Sequence, residues 1–151
     1  MFKHFKKAAA KVPEFIAWND YYSVGNEVLD DQHKTMVSLF NRLYDGMEKR
    51  TEEKLTQPVL EQFMEYAKVH FAQEEELMEA CGFPDLPGHK QLHLDMAKKT
   101  REVWQASLSG GVSGKDVLHL LKEWWVDHIC GEDKKYSPYL EHASAGVKGS
   151  A

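Results

Sequence analysis

The stretch PVLEQFMEYAKVHFAQEEELMEACG, residues 58–82, opens on proline, closes on glycine and holds neither in between. Leu60, Phe63, Ala67, His70, Glu74, Leu77 and Cys81 recur in it at intervals of three and four, the spacing that lines side chains along one face of an α-helix. Proline suits a first helical turn and glycine a C-terminal stop, so a helix is expected from about Pro58 to Ala80. Its inner face is unusual in one respect. His70 and Glu74 stand where apolar residues belong.

Proline and glycine divide the rest of the chain in the same way. Pro13, Pro58, Pro84, Pro87 and Pro138, with Gly110 and Gly111, leave three further helical spans of about Leu29 to Lys49, Leu86 to Leu108 and Gly114 to Tyr139. Ser113, with Asp116 three residues on, reads as a capping box before the last of them. The seams are His33, Val37, Phe40, Tyr44 and Met47; then His89, His93, Met96, Thr100 and Val103; then Val117, Leu121, Trp124 and His128. Short connections between long helices favour antiparallel neighbours, so the expected fold is all-α, an up-down-up-down antiparallel four-helix bundle over residues 29–140. Residues 1–28 read as an N-terminal arm and residues 141–151 as a flexible tail.

A chain of 151 residues is one domain's worth and buries roughly 70% of its unfolded surface. A hydrophobic content of 42%, a charged content of 28% and a mean hydropathy of −0.55 describe a globular chain, without the ~20 apolar residues of a spanning helix. The net charge of −5 argues against a nucleic-acid partner held through phosphates. Cys81 and Cys130 are too few for a disulfide framework; they fall on diagonal helices and are expected as buried free thiols. The basic start, Met1 to Lys7, is interrupted by Lys11 and Pro13 before a secretory signal can form, and a cytoplasmic location is expected. Lys3, Lys6, Lys7 and Lys11 alternate with Phe2, Phe5, Ala8 and Val12 in the pattern of an arm that touches a membrane surface; a solvated arm is the preferred reading.

The bundle topology gathers the seam histidines. His33 lies near the start of the first helix, His70 and Glu74 towards the end of the second, His89 and His93 near the start of the third, and His128 towards the end of the fourth. In an up-down-up-down bundle these places share one level. His70 with Glu74, and His89 with His93, are four apart and project from one helix face. Glu75 and Glu76 point round the helix by roughly 100° and 200° from Glu74 and are expected in solvent. A lone histidine on an apolar face is usually a hydrogen-bonded core residue. Five imidazoles and a carboxylate are another matter, because each buried group left unsatisfied costs roughly 1–3 kcal/mol, and a metal site is the better account. His4, His119 and His142 fall outside this layer and are assigned no metal.

Asp31-Gln32-His33, His70-Phe71-Ala72-Gln73-Glu74, His89-Lys90-Gln91-Leu92-His93 and His128-Ile129-Cys130-Gly131-Glu132-Asp133 together resemble the hemerythrin family in its single-domain bacterial form, over about residues 18–140 and including Trp18. The resemblance implies two iron ions in a non-haem di-iron centre with a bridging oxo or hydroxo group. His89, His93 and His128 would bind one iron, His33 and His70 the other, and Glu74 and Asp133 would bridge both. Regular helical spacing favours Glu132, four residues after His128, because Asp133 lies roughly 140° round the helix. The resemblance selects Asp133, and with it a local widening or early end of the helix around Gly131.

Two six-coordinate metals offer twelve positions, of which two bridging carboxylates, a bridging oxygen and five histidines leave one. The family uses that position to bind dioxygen reversibly, both irons reducing it to the peroxide level. The resemblance therefore implies dioxygen storage, or delivery to an oxygen-consuming enzyme, by a monomer that is not itself an enzyme. Imidazole-rich donors without a Glu-x-x-His pair set the site apart from carboxylate-rich di-iron sites. Val37, Leu77, Met96 and Trp124, a turn away, are expected to hold water off the ligand. The alternative is an oxygen or redox sensor signalling to a partner protein. A dinuclear zinc or manganese hydrolase would use similar ligands but lacks an obvious general base beside the open position.

Overall fold

The computed structural model describes residues 15–147, with side chains through residue 140. Its helices are α1 (Glu27–Glu48), α2 (Glu52–Ala80), α3 (Leu86–Leu108) and α4 (Gly114–Leu121). The last runs on through two wide π turns, Lys122–Val126 and His128–Glu132, into α5 (Asp133–Val147), so that α4 and α5 form one rod. Short reversals join the rods into an antiparallel four-helix bundle, with no strand among the described residues.

The helix ends have local causes. Asn26 accepts from the Leu29 N–H to start α1, and Ser113 with Asp116 forms the expected capping box on α4. α2 stops at Gly82, φ 73°, where the Gly82 N–H donates to Glu79 O and the Phe83 N–H to Met78 O. This doubly bonded closure needs a left-handed residue, which glycine supplies without strain. α1 ends by the same closure with Arg50, φ 56°, in the glycine position, its N–H donating to Met47 O and that of Thr51 to Gly46 O. A reversal built on arginine leaves no glycine or proline mark. The expected start of the second helix at Pro58 is therefore corrected: α2 begins at Glu52, and Pro58 lies exposed inside it. Gly46 answers to space, since a Cβ there would run into Leu55 Cδ1.

Two apolar clusters fill the bundle. The larger includes Phe40, Phe63, Leu121 and Trp125; the smaller, at one end, is Val24, Leu29, Met78, Tyr136 and Leu140. Some expected core positions move by one residue. Tyr44, Met47 and Leu77 are half-buried while Leu43, Gly46 and Met78 are buried. Trp124 is 40% exposed and Trp125 takes its place at 2%. The first π turn explains the last exchange, because a turn that closes over five residues instead of four carries the inward position one residue further on.

The described part of the arm lies on the bundle. Asn41 Oδ1 accepts from the Phe15 and Ile16 N–H groups, both at 2.9 Å, its Nδ2 donates to Ile16 O at 2.8 Å, and Ile16 is buried. The basic residues 3–11 lie outside the described residues. α5 carries the chain helically through the first residues read as tail, to Val147. Cys81 and Cys130 are free, and half-buried rather than buried. No helix among the described residues is long and apolar enough to cross a membrane.

Candidate metal centre

His33, His70, Glu74, His89, His93, His128 and Asp133 are all buried, and the structure brings their donor atoms to one level between the two apolar clusters. α1 supplies His33, α2 His70 and Glu74, α3 His89 and His93, and the fourth rod His128 and Asp133. The atoms form two groups, each within 4.8 Å: Glu74, His89, His93, His128 and Asp133, and then His33, His70, Glu74 and Asp133. Both carboxylates belong to both groups. Glu74 Oε1 lies 3.0 Å from His89 Nε2 and 3.0 Å from His93 Nε2, while Glu74 Oε2 lies 3.1 Å from His70 Nε2 and 3.7 Å from His33 Nε2. Asp133 Oδ1 lies 2.9 Å from His128 Nε2 and 3.2 Å from His89 Nε2, and Oδ2 faces His33 Nε2 at 3.3 Å.

Asp133 reaches this layer through the second π turn. Its N–H donates to His128 O, five residues back, so Asp133 stacks over His128 instead of turning away from it. Glu132 points outward and pairs with Lys135 at 2.8 Å.

Sequence reasoning missed several residues around the cage. Gln32 Oε1 accepts from His70 Nδ1 at 2.5 Å, which directs His70 Nε2 inward, and Gln32 Nε2 donates to Gln73. The Tyr136 hydroxyl donates to Glu74 Oε2 at 2.8 Å. The Phe71 ring stacks on His93, 3.8 Å between centroids and 12° between planes, and on its other side stacks with Trp125. Glu75, expected in solvent, sits behind His93 with its carboxylate 3.7 Å from Nδ1; Glu76 is exposed as expected. The irregular lead into α1 is tied to the end of the bundle: Asp30 accepts from the Ser23 hydroxyl and the Val24 N–H, and Lys134 and Ser137 donate to the carbonyls of Ser23 and Val24. Gln32 stood in the quoted motif, but only the folded geometry pairs it with His70. His119 is exposed beside Phe15, His4 lies outside the described residues, and the His142 side chain is not among those described.

Charge in the cage is set by the two carboxylates. Burial alone would lower His33 and His89, but the carboxylates of Asp133 and Glu74 close beside them outweigh it and raise both to about 9. For His93 burial prevails and the imidazole is lowered. Burial pushes Glu74 and Asp133 upward, and the surrounding imidazoles more than reverse it, holding both well below the ordinary carboxylate range. Burial and the nearby carboxylates push the Tyr136 phenol well up, which keeps it a donor.

The donor set fits a pair of cations. His93 Nε2, His128 Nε2 and both Asp133 oxygens have no hydrogen-bond partner, although opposing ligand atoms lie within 3.3 Å. Close atoms that do not hydrogen bond are aimed past one another at shared points, as ligands of a metal are. Five imidazoles and two bridging carboxylates inside a four-helix bundle define a carboxylate-bridged dinuclear metal protein.

The chain belongs to the hemerythrin family: the model of the hemerythrin HHE cation binding domain matches residues 24–140. It is 30% identical to a bacteriohemerythrin of Pseudomonas aeruginosa (strain LESB58) over 128 residues, 85% of this chain and 83% of that one. It is also 30% identical to a myohemerythrin of Theromyzon tessulatum over 130 residues, 86% of this chain and 98% of that one. A crystal structure of wild-type hemerythrin superposes with a TM-score of 0.74 at 26% identity, covering 83% of this chain and 98% of its own. The family is one of non-haem iron, oxygen-binding proteins, and its fold is the four-helix bundle seen here.

Proposed function

We propose that the chain binds dioxygen reversibly at a di-iron centre held by His33, His70, Glu74, His89, His93, His128 and Asp133. It stores dioxygen or delivers it to an oxygen-consuming enzyme and is not itself an enzyme. The observation that carries the reading is the division of the carboxylate oxygens, one of each facing the three-histidine group and one of each facing the two-histidine group. When bound, the irons supply the electrons and the coordination that dioxygen needs.

The residues do the rest. His89, His93 and His128 with Glu74 Oε1 and Asp133 Oδ1 make five donors, and His33 and His70 with Glu74 Oε2 and Asp133 Oδ2 make four. A bridging oxygen would fill the sixth place beside the three-histidine donors and leave the His33 and His70 side one donor short, so that is the side on which dioxygen would bind. Val37 and Met96, one turn from His33 and His93, are buried and keep the cage apolar around its ligands; Trp125 takes the part expected of Trp124. The bundle of residues 29–140 carries the site, between the arm 1–28 and the tail 141–151. A cytoplasmic monomer is part of this reading, in keeping with two free thiols.

The test is spectroscopic. Iron-loaded protein, reduced and then exposed to air, develops a visible absorption band that argon removes, with two irons per chain by metal analysis. A protein that gains no band, or one that argon leaves unchanged, is not a reversible carrier.

A further inference from the structure

We propose that the basic arm and the face of α4 beside its root form a docking surface for a bilayer of anionic phospholipid. Residues 1–12 hold four lysines and no acid. Set on a helix, Met1, Phe2, Phe5, Ala8, Ala9 and Val12 share a sector of about 120°, and Lys3, Lys6, Lys7 and Lys11 all fall outside it. Pro13 ends the pattern. A segment so divided lies in the plane of an anionic membrane, with its phenylalanines among the acyl chains and its lysines among the headgroups. A nucleic-acid backbone would attract the same lysines, but it asks for no apolar face opposite them.

In the sequence alone the arm reads as solvated; its anchorage turns the balance. Phe15 and Ile16 are fixed to Asn41 on α1. Phe15 follows Val12 by three residues, so a membrane-bound arm brings the bundle face around Phe15 to within about 11 Å of the lipid surface. That is close to the Debye length of about 8 Å at physiological salt, and the charge on this face therefore counts. The chain as a whole would be repelled, since its net charge is −5 with the lysines of the arm included. The face around Phe15 differs. Lys122 Nζ lies 4.9 Å from the Phe15 ring centroid and the His119 ring 6.3 Å from it, and Lys115 stands one turn before His119, so the three form a stripe along one side of the fourth rod. Lys115 and Lys122 are exposed, and among the described residues neither has a carboxylate within 4.0 Å, unlike Lys34, Lys49, Lys99 and Lys135. The acids nearby are engaged or turned aside: Asp116 caps α4, Glu123 lines a groove with Leu92 and Met96 of α3, and Asp45 pairs with Lys49 at 2.7 Å. Glu48, a turn past Tyr44, remains exposed on that side of α1. Docking at this face does not depend on the dioxygen reading.

Co-sedimentation of the full chain with vesicles of phosphatidylglycerol and phosphatidylcholine in equal parts, and separately with phosphatidylcholine alone, tests the proposal. We expect the anionic vesicles to bind at least about tenfold more tightly than the neutral ones, and added salt to narrow the difference. A lysine close to an anionic surface is worth about fivefold, so Lys3→Gln with Lys7→Gln should weaken binding by about 25-fold. Phe2→Asp with Phe5→Asp should abolish it. With the arm intact, Lys115→Glu with Lys122→Glu should weaken it by at least about fivefold; should that pair disturb α4 by circular dichroism, Lys115→Gln with Lys122→Gln replaces it and should also weaken binding. No binding to anionic vesicles, equal binding to the two vesicle types, or full binding by the phenylalanine variant or by a folded Lys115 and Lys122 variant would each overturn the proposal. So would tight binding of single-stranded RNA by a chain that leaves anionic vesicles alone.

Discussion

The Tyr136 hydroxyl donates a 2.8 Å hydrogen bond to Glu74 Oε2, tying the fourth rod to α2 at the rim of the cage. Tyr136 is fully buried and packs its ring near His89 and Phe83, so it belongs at once to the small apolar cluster and to the site. Tyr136→Phe keeps that packing and deletes the bond. A hydrogen bond to a buried carboxylate contributes about 1–3 kcal/mol, which for a chain of this size lowers Tm by about 3–10 °C. Thermal denaturation with metal analysis should show that drop while two irons per chain are retained. An unchanged Tm would mean the bond contributes nothing net.

Gln32 acts on His70 in a comparable way. By accepting from Nδ1–H it fixes the tautomer whose Nε2 lone pair faces inward. Gln32→Leu should weaken metal binding by about 10–100-fold in a chelator competition, and Gln32→Glu, which still accepts, should restore it. His70→Ala should lower iron occupancy outright, whereas His119→Ala, on the exposed side of α4, should leave it unchanged. Equal metal loss in the two alanine variants would refute the ligand assignment.

Acid and base act on the metal-free cage in opposite directions. His33 and His89 are raised to about 9, above the ordinary value of about 6.5, so the stability they contribute is complete below about 6.5 and is lost as pH rises through about 9. Glu74 and Asp133 are lowered, so their contribution is present above about 4 and is lost on acidification. His93 is lowered, so its contribution fades as pH falls below about 6.5, and metal-stripped protein should therefore have its highest Tm at about pH 6.5 and lose stability steadily towards pH 9. Metal binding must displace the protons on His33 and His89, so affinity should rise with pH over the same range, with about two protons released per chain at pH 7. A metal affinity independent of pH between 6.5 and 9 would contradict both assignments.

The fold was legible because its punctuation was mostly glycine and proline, as at Gly82 and around Gly110, and because histidines interrupted otherwise apolar seams. The end of α1 near Lys49 is legible, but the start of α2 at Glu52 is not, because the reversal before it turns on Arg50, which adopts the conformation that normally advertises itself as glycine. Periodicity places Trp124 inward because it carries a regular helix through a segment that widens, and it cannot register a π turn. The first ring of ligands could be read from spacing and resemblance. Gln32, Tyr136 and Phe71 could not, since each is defined by a partner on another rod: Gln32 by His70, Tyr136 by Glu74, Phe71 by His93 and Trp125.

The wide turn before Asp133 makes the sharpest prediction. On a regular helix Glu132 would face the cage, and here the Asp133 N–H bonded to His128 O brings Asp133 there instead. Asp133→Ala should therefore lose the metal pair, while Glu132→Ala should cost only the exposed ion pair with Lys135, worth about 0–1 kcal/mol. If the turn serves register alone, it is one residue too many in an otherwise regular rod. Gly131 is that residue's natural candidate, being exposed and having nothing within 4 Å of where a Cβ would sit. Deleting Gly131 would place the aspartate four residues after His128, on the same face of a regular helix, with its carboxylate still turned inward. The deletion variant should keep two irons per chain. Loss of iron on deleting Gly131, with Glu132→Ala still fully loaded, would show that the widened backbone contributes to the cage beyond setting which residue enters it.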